Sequence, residues 1–279
     1  MNFKRIQWIF LFAFLLFDLV VAGSLFLQNR FTISSSAPNR QEVILKEMRA
    51  DEITCIPLSR HAQSGYYIAG TRSGENGELN QQANRLRDQN YHFSSDELAS
   101  DLETGVKVNP KHPEKRLDRL VRDDHSIALG SHYQYDAQLS DQHTVVYTQR
   151  LAGRTLKSPD GQIRFRVNND HEVLGYTQTY LEGAKILRPK ANTISQQHAV
   201  TWLYKHNLIP NNSQVRWAEL AYTKLLNTSS HNQAVYVPTW IIEVRTKNDD
   251  TVQQLRVNAF NSTIMRSTPG SVNTSSLGK

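Results

Sequence analysis

Residues 6–27 read IQWIFLFAFLLFDLVVAGSLFL, and the rest of the chain must be placed relative to this apolar run. As an α-helix, its 22 residues would extend about 33 Å, enough to cross the hydrocarbon core of a bilayer. The interruptions of the run are few and scattered: Gln7, Asp18, Gly23 and Ser24. A soluble helix would show a continuous polar face. The sequence therefore predicts a single transmembrane helix over residues 6–27.

The charges that flank this run predict its orientation. Lys4 and Arg5 precede it, and the positive-inside bias keeps such residues in the cytoplasm. Arg30, on the other side, weakens the asymmetry without reversing it. We expect a cytoplasmic tail at residues 1–5, and a single-pass protein of the cell membrane whose C-terminal region is extracytoplasmic.

A cleaved secretory signal is the alternative interpretation of the same run. The small residues Ala22, Gly23 and Ser24 could serve a signal peptidase. However, the apolar run continues to Leu27, past the point where cleavage would fall, and it is longer than a usual signal core. The length favours an uncleaved anchor.

Asp18 is the unusual residue of the predicted helix, because a carboxyl group inside a bilayer is costly unless it is neutral or paired. One explanation is that Asp18 is protonated and forms a local hydrogen bond. The other is that it faces a polar group on a second transmembrane helix, with Ala22 and Gly23 allowing close approach. Both remain open at this point.

The composition of the remainder is that of an exported protein that folds without disulfides. Cys55 is the only cysteine, so stability must come from a packed core. The net charge is +6, which outside a cell favours anionic lipid or wall polymer over nucleic acid. No basic and aromatic nucleic-acid motif is present. The cations are spread along the chain: Arg85, Arg87, Lys111, Lys115, Arg116, Arg119, Arg122, Lys185, Arg188 and Lys190.

The first part of the exterior is predicted to be a tether at residues 28–40 followed by an α+β region at residues 41–190. Apolar spacing predicts a helix over 41–51 and another over 114–124, and short strands over 53–58 and 64–70. Residues 71–90 are polar and are expected to form a loop. Ser94 and Glu97 have the spacing of a capping box, which predicts a helix that contains Leu98 and Leu102 and ends at Gly105.

Beyond residue 131 the apolar pattern has a period of two. It predicts strands over 132–136, 144–151, 163–167 and 173–181, separated by short turns. Such strands form an antiparallel meander, with a helix packed on one face.

The last part, residues 191–267, is predicted to be a second α+β unit. Ser195 would cap a helix that Pro210 closes, and three strands would follow over 215–226, 235–246 and 251–260. Pro238 indicates an edge or a bulge in the middle strand. Residues 268–279 are polar and are expected to be a disordered tail. The predicted fold class is α+β, with antiparallel sheets and packed helices after the transmembrane helix.

The chain shows no motif for catalysis or for a bound metal or cofactor. Its histidines do not form a closely spaced metal-binding set. Cys55 and His61 lack a local nucleophile signature. The clusters at residues 123–125 (Asp-Asp-His) and 170–172 (Asp-His-Glu) lie in predicted turns, where solvated side chains are the simpler interpretation. We expect a binding or regulatory module that is not an enzyme and carries no cofactor.

The opening stretch, with its basic start, Trp8-Ile9-Phe10 and a late aspartate, resembles the YycI (WalI) family of membrane-anchored regulators. Residues 65–68 (Gly-Tyr-Tyr-Ile) and the helix and strands at the end fit the same family. The segments 237–240 (Val-Pro-Thr-Trp) and 257–260 (Val-Asn-Ala-Phe) also resemble the final hairpin of PepSY-like domains. The aspartate and the threonine-glycine turn of that pattern are absent here.

The YycI resemblance implies a Gram-positive protein that associates with a YycH-type sister protein and with the sensor histidine kinase of the WalRK (YycFG) two-component system. It implies an effect on kinase output, and so on cell-wall metabolism, through contacts between transmembrane helices. The residues selected for that contact by their position in the membrane are Trp8, Phe12, Asp18, Ala22 and Gly23. The alternatives are a module that binds anionic wall polymer or lipid and, less favoured, a wall hydrolase.

Overall fold

The computed structural model describes residues 8, 11–19, 38–228 and 232–265. Trp8 and residues 11–19 are helical. The helices that follow are α1 (Pro38–Ala50), α2 (Glu78–Ala83), α3 (Glu114–Arg122) and α4 (Gln196–Lys205). The strands are β1 (Thr54–Cys55), β2 (Ser64–Gly65), β3 (Ile68–Arg72), β4 (Gln89–Ser94), β5 (Glu97–Lys107), β6 (Tyr133–Tyr135), β7 (Thr144–Leu151), β8 (Arg154–Thr155), β9 (Gln162–Val167), β10 (Glu172–Gln178), β11 (Leu181–Ile186), β12 (Ala191–Asn192), β13 (Ser213–Asn227), β14 (Gln233–Thr246) and β15 (Val252–Asn258). The predicted α+β class is confirmed.

One sheet, which we call the hairpin sheet, is built on two long antiparallel strands. In the described part of the chain its order is β1-β13-β14-β3-β11, and β15 also pairs with β14. β13 and β14 have 15 and 14 residues and are in register over most of their length, with Leu220 opposite Trp240. Among the strands that the structure describes in this sheet, only β1 runs parallel to its neighbour. The three strands predicted for the last part of the chain are thus confirmed as β13, β14 and β15.

Pro238 does not lie on an edge strand, because β14 has partners on both sides. It occupies the point where the partner on one side changes: β3 pairs with β14 up to Tyr236, and β15 begins at Thr239. The Pro238 carbonyl accepts a hydrogen bond from the Ala259 amide at 2.9 Å, so its nitrogen faces this same side. The missing N–H therefore falls in a gap between two partners, which explains how a central strand tolerates proline.

In the described residues β2 and β12 form a small two-stranded sheet. The second large sheet, which we call the meander sheet, has the order β4-β5-β10-β9-β7-β6, with β8 paired to β7. Its run β6, β7, β9 and β10 is the predicted antiparallel meander, which is confirmed. β7 spans residues 144–151 as predicted, whereas β10 ends at Gln178 and β11 joins the hairpin sheet. The predicted strand over 173–181 is therefore divided between two sheets.

Helices α2 and α3 bury their apolar residues in the core of the meander sheet. Leu117 and Val121 of α3 belong to the same buried cluster as Tyr147, Phe165 and Tyr176. Tyr147 and Phe165 make an edge-to-face contact, with ring centroids 5.8 Å apart. The amphipathic spacing of residues 114–124 correctly predicted α3.

The predicted capping box at Ser94 is wrong. Ser94 and Glu97 face each other across a hairpin that joins β4 to β5, and the two residues between them have positive φ angles of 51° and 62°. This is the backbone of a two-residue hairpin turn. The prediction failed because Leu98 and Leu102 share a face in a strand as well as in a helix. Gly105 lies inside β5 rather than at a helix end.

The predicted loop over 71–90 is also wrong in part, since it contains α2. Leu79 and Ala83 of this helix are fully buried. The Ser73 hydroxyl accepts a hydrogen bond from the Leu79 amide at 3.0 Å, and the Glu182 carboxylate accepts one from the Glu78 amide at 2.8 Å. The helix is stabilised by one bond from a residue just before it and one from a residue distant in the chain, and its polar composition reveals neither.

At α4 the predicted cap is confirmed, because the Ser195 hydroxyl accepts a hydrogen bond from the His198 amide at 3.1 Å. The helix over 41–51 is confirmed as α1, although it begins at Pro38, inside the predicted tether. Proline is well suited to the first turn of a helix.

The predicted domain boundary at residue 190 stays a prediction, and strands from both sides of it share the hairpin sheet. By their internal contacts the residues of the chain fall into two compact units, and the division lies between Glu47 and Met48.

In the described residues, no helix is long and apolar enough to span a membrane. Most of the predicted transmembrane segment, residues 6–27, lies outside the described residues, as do the tail at 1–5, most of the tether and the tail at 268–279.

Candidate functional site

The residues predicted to contact a partner helix are described only in part. Trp8 and Phe12 lie one helical turn apart and touch, with ring centroids 5.8 Å apart. Both are about three-fifths exposed, at 60% and 62%, and Asp18 is exposed as well. Ala22 and Gly23 lie outside the described residues. The structure thus brings the two aromatic residues together and leaves the role of Asp18 untested.

The described helix at residues 11–19 carries large apolar side chains that are all exposed: Leu11, Phe12, Phe14, Leu15, Leu16, Phe17 and Leu19. Exposed apolar surface of this extent is typical of a membrane or protein contact. This surface and Asp18 are the candidate site at the N-terminal end.

Cys55 and His61 do not form a nucleophile and base. Cys55 lies on β1, and burial raises the pKa of its thiol to about 11, so the reactive thiolate is scarce at neutral pH. His61 is exposed in the segment that follows, where its amide donates to the Ser59 hydroxyl at 3.3 Å.

The two clusters of carboxylates and histidine are turn structures. Asp123 accepts hydrogen bonds from the Ser126 hydroxyl at 2.6 Å and the His125 amide at 3.2 Å, and these bonds lower the pKa of its carboxyl group. In the second turn, Asn168 accepts from the amides of Asp170 and Glu172, both at 2.9 Å. The described part of the chain contains no group of three or more side chains that could hold a metal ion.

Sequence reasoning missed a buried ionic cluster between the two sheets. The Lys157 ammonium group lies 3.0 Å from Asp136 Oδ2 and 2.9 Å from Glu219 Oε2, and it donates to Gln138 Oε1 at 2.6 Å. The side chains of Lys157 and Asp136 are only 3% and 2% exposed. The Lys157 ammonium group also lies 5.3 Å from the ring centroid of Trp217. A lysine this deeply buried is tolerated because carboxylates of both sheets surround it.

Asp160 forms a second buried ion pair three residues further on. Its carboxylate lies 2.7 Å from Lys224 Nζ and accepts hydrogen bonds from Tyr236 at 2.7 Å and Ser158 at 2.8 Å. Burial by itself raises the pKa of Asp160, but the bonds from Lys224, Tyr236 and Ser158 outweigh it and lower the pKa. Burial and the charge of Asp160 raise the pKa of the Tyr236 hydroxyl.

Within the described residues, Lys157 lies against the carboxylates of Asp136 and Glu219, and Lys224 lies against that of Asp160. Such pairing is typical of buried charges that stabilise a fold. The segment between β7 and β9 carries both Lys157 and Asp160 and also hydrogen-bonds to the hairpin sheet, since the Lys157 amide donates to the Tyr222 carbonyl at 2.9 Å. The turn residues Ser158-Pro-Asp-Gly161 were visible in the sequence, but nothing in them identifies their distant partners.

The sequence model of the family described as "YycI protein" matches residues 33–260. The chain belongs to the YycI family. This confirms the resemblance found in its sequence. No curated protein matches the chain.

Two solved structures are similar to this YycI protein. A crystal structure of an uncharacterized protein from Eubacterium rectale is 8% identical with a TM-score of 0.46, and the match covers 77% of this chain and 89% of that one. The YpeB C-terminal domain of Bacillus megaterium is 12% identical with a TM-score of 0.36, and the match covers 82% of this chain and 96% of that one. Membership of the YycI family indicates a regulatory protein of the WalRK two-component system.

Proposed function

We propose that this protein is a non-enzymatic, membrane-anchored regulator that adjusts the output of a WalK-type sensor histidine kinase through contacts between transmembrane helices, together with a YycH-type sister protein. The family membership carries this proposal. The exposed apolar residues of the helix at 11–19 support a role for the anchor. The cytoplasmic N-terminus and extracytoplasmic exterior are part of the same proposal.

The positions of the five candidate contact residues are consistent with one interface. At about 100° per residue, Trp8, Phe12, Asp18, Ala22 and Gly23 lie within an arc of about 140° on an ideal helix. Phe17 lies opposite to the centre of that arc. A polar side chain beside small residues is a combination that stabilises helix pairs in membranes. Regulation requires that the helix contacts the two signalling states of the kinase with different free energies, because equal binding shifts no equilibrium.

Cross-linking and pull-down from native membranes test this proposal. We expect the full-length chain to recover a histidine kinase and a second single-pass protein, and a variant whose residues 1–27 are replaced by an unrelated span to lose the kinase. The proposal is wrong if the replaced span recovers and regulates the kinase normally.

A matched pair of substitutions separates a specific contact from general membrane insertion. Phe12→Ala removes an aromatic ring inside the proposed arc, and Phe17→Ala removes the same ring outside it. We expect Phe12→Ala and Asp18→Leu to reduce kinase recovery at equal expression, and Phe17→Ala to leave it unchanged. Equal losses from Phe12→Ala and Phe17→Ala would exclude a defined contact face.

A second candidate function, binding of anionic wall polymer or lipid, is favoured by the outer face of α3. Lys115, Arg116, Arg119 and Arg122 are all exposed there. In the described residues none of them has an ion-pair partner, whereas the nearby acids Asp118 and Glu114 contact Tyr147 and His112. This candidate predicts binding to teichoic acid or anionic vesicles that weakens with salt and on Arg119→Glu. Absence of such binding would leave the regulator proposal as the single candidate.

A further inference from the structure

A small cavity of about 180 Å³ lies where the two sheets meet. Arg72 from β3 lines it on the side of the hairpin sheet, and Arg164 and Thr177 from β9 and β10 line it on the side of the meander sheet. Gln162, Glu97 and Thr179 complete the polar lining. Two arginines from different sheets thus line one partly open cavity.

Both arginines have donors to spare. Arg72 Nε donates to the Asp96 carbonyl at 3.2 Å, and Arg164 Nη1 makes a long contact of 3.4 Å with Gln162 Oε1. Neither guanidinium group has an acidic partner in the described part of the chain. Arg166, two residues further along β9, shows the contrast, because it pairs with Asp101. A guanidinium group presents five N–H donors, so most donors of the cavity arginines are available.

The charge and the donors of the lining fit an oxyanion. Two arginines and one glutamate give the lining a net charge of +1, which matches a singly charged group. Arginine forks bind carboxylate and phosphate oxygens through paired N–H bonds. The Thr177 hydroxyl and the Gln162 amide add neutral donors to the same space.

We propose that this cavity binds a small oxyanion, a phosphate or carboxylate group held between Arg72 and Arg164. The bound group would contact both sheets at once. Because the unfolded chain lacks this arrangement, the ligand stabilises the folded exterior. The inference goes beyond the regulator proposal and is independent of it, since no residue of residues 1–37 takes part.

Isothermal titration calorimetry on the full-length chain in detergent tests the site, with inorganic phosphate and acetate as separate probes at constant ionic strength. We expect saturable binding of at least one probe and a rise in the thermal unfolding midpoint with the same probe. Tighter binding of phosphate would identify a phosphate group as the natural ligand chemistry, and tighter binding of acetate a carboxylate. No binding of either probe would overturn the proposal.

Substitutions show whether the binding takes place in this cavity. We expect Arg164→Gln to weaken binding about tenfold or more, and Arg164→Lys to weaken it less because the charge remains. Arg166→Gln on the same strand is the matched control and should stay within about twofold of the wild type. Equal affinities for Arg164→Gln and Arg166→Gln would refute the site, provided that both variants unfold at the wild-type temperature without ligand.

Glu97 offers a test in the opposite direction. Removing its charge with Glu97→Gln leaves both arginines uncompensated, so the same anion should bind several times more tightly. A weaker affinity in Glu97→Gln would show that the anion does not occupy the cavity. This variant retains the size of the side chain, and its unfolding midpoint without ligand checks that the fold is unchanged.

Discussion

The two sheets are assembled from the sequence in different ways. In the meander sheet, β6, β7, β9 and β10 pair largely with neighbours in the chain, across short turns. In the hairpin sheet, β3 lies between β14 and β11, so that Ala69 pairs with Val235. Pairing between neighbouring strands can be predicted from turn residues and from a period-two apolar pattern. Pairing between strands far apart in the chain depends on the finished fold.

The contact between the hairpin sheet and the meander sheet is partly apolar and partly ionic. A buried cluster includes Leu151 of the meander sheet with Leu181, Tyr222 and Tyr236 of the hairpin sheet. Beside it lie the ion pairs of Lys157 and Asp160. The described residues from Met48 onward form one compact unit by their contacts, so the contact between the two sheets should make them unfold together.

The largest loss of stability is expected from Lys157→Met, which removes the cation of the buried ionic cluster between the two sheets. Methionine has a similar volume but leaves Asp136 and Glu219 without a cation. Removing one partner of a buried ion pair typically costs about 3–5 kcal/mol of unfolding free energy. Urea unfolding of the full-length chain in detergent, followed by tryptophan fluorescence, measures this loss.

The triple variant Lys157→Met, Asp136→Asn, Glu219→Gln is the control for uncompensated charge. It removes the stranded carboxylates and should recover a large part of the stability. If the triple variant were no more stable than Lys157→Met, the lysine would act through packing on Trp217 and not through its charge.

A pair of core truncations compares the two sheets directly. Leu117→Ala opens a cavity under the meander sheet, and Leu203→Ala does so at α4, which packs on the hairpin sheet. Both leucines are fully buried, so each change should cost about 2–5 kcal/mol. If the sheets unfold together, each variant shifts one shared transition. Two separate transitions, with only one shifted by each variant, would show that the contact between the sheets does not couple them.

The sequence predicted what depends on local pattern. The β-rich composition of residues 144–151, the amphipathic spacing around Leu117 and the cap residue Ser195 are local signals, and the strand, the helix and the cap that they predicted are confirmed. The strands of the long hairpin were found for the same reason. The family resemblance was also visible in the sequence.

The features that failed depend on partners far along the chain. α2 is stabilised by a hydrogen bond to Glu182, and Lys157 by Asp136 and Glu219, and no local pattern selects these partners. The same limit applies to the cavity between Arg72 and Arg164. The capping box failed differently, because its Ser-x-x-Glu spacing is also compatible with a two-residue hairpin.

A smaller loss of stability should distinguish Ser195, where the predicted helix cap is confirmed, from Ser94, where it is wrong. Ser195→Ala removes the hydroxyl that accepts from the His198 amide and should cost about 1 kcal/mol of unfolding free energy. Ser94→Ala, at the hairpin of the meander sheet, removes no cap and should stay within about 0.5 kcal/mol of the wild type. Thermal or urea unfolding of the two variants measures the difference. Similar losses would contradict the assignment of Ser94 to a strand end.

The smallest effect is the pH response of α4. Burial, and then the nearby charge of Lys205, lower the pKa of His198 below its usual 6.5. The folded state therefore disfavours the protonated ring, whereas the unfolded chain binds the proton near its ordinary pKa of about 6.5. The contribution to stability is complete above that pH and is lost as the pH falls through about 6.5 toward the folded pKa.

Unfolding midpoints measured between about pH 7.5 and 5 test this response. The wild type should lose stability across this range, and His198→Gln should lose less, because its side chain does not titrate. If His198→Gln gave the same slope as the wild type, the acid sensitivity would have to arise from groups other than His198.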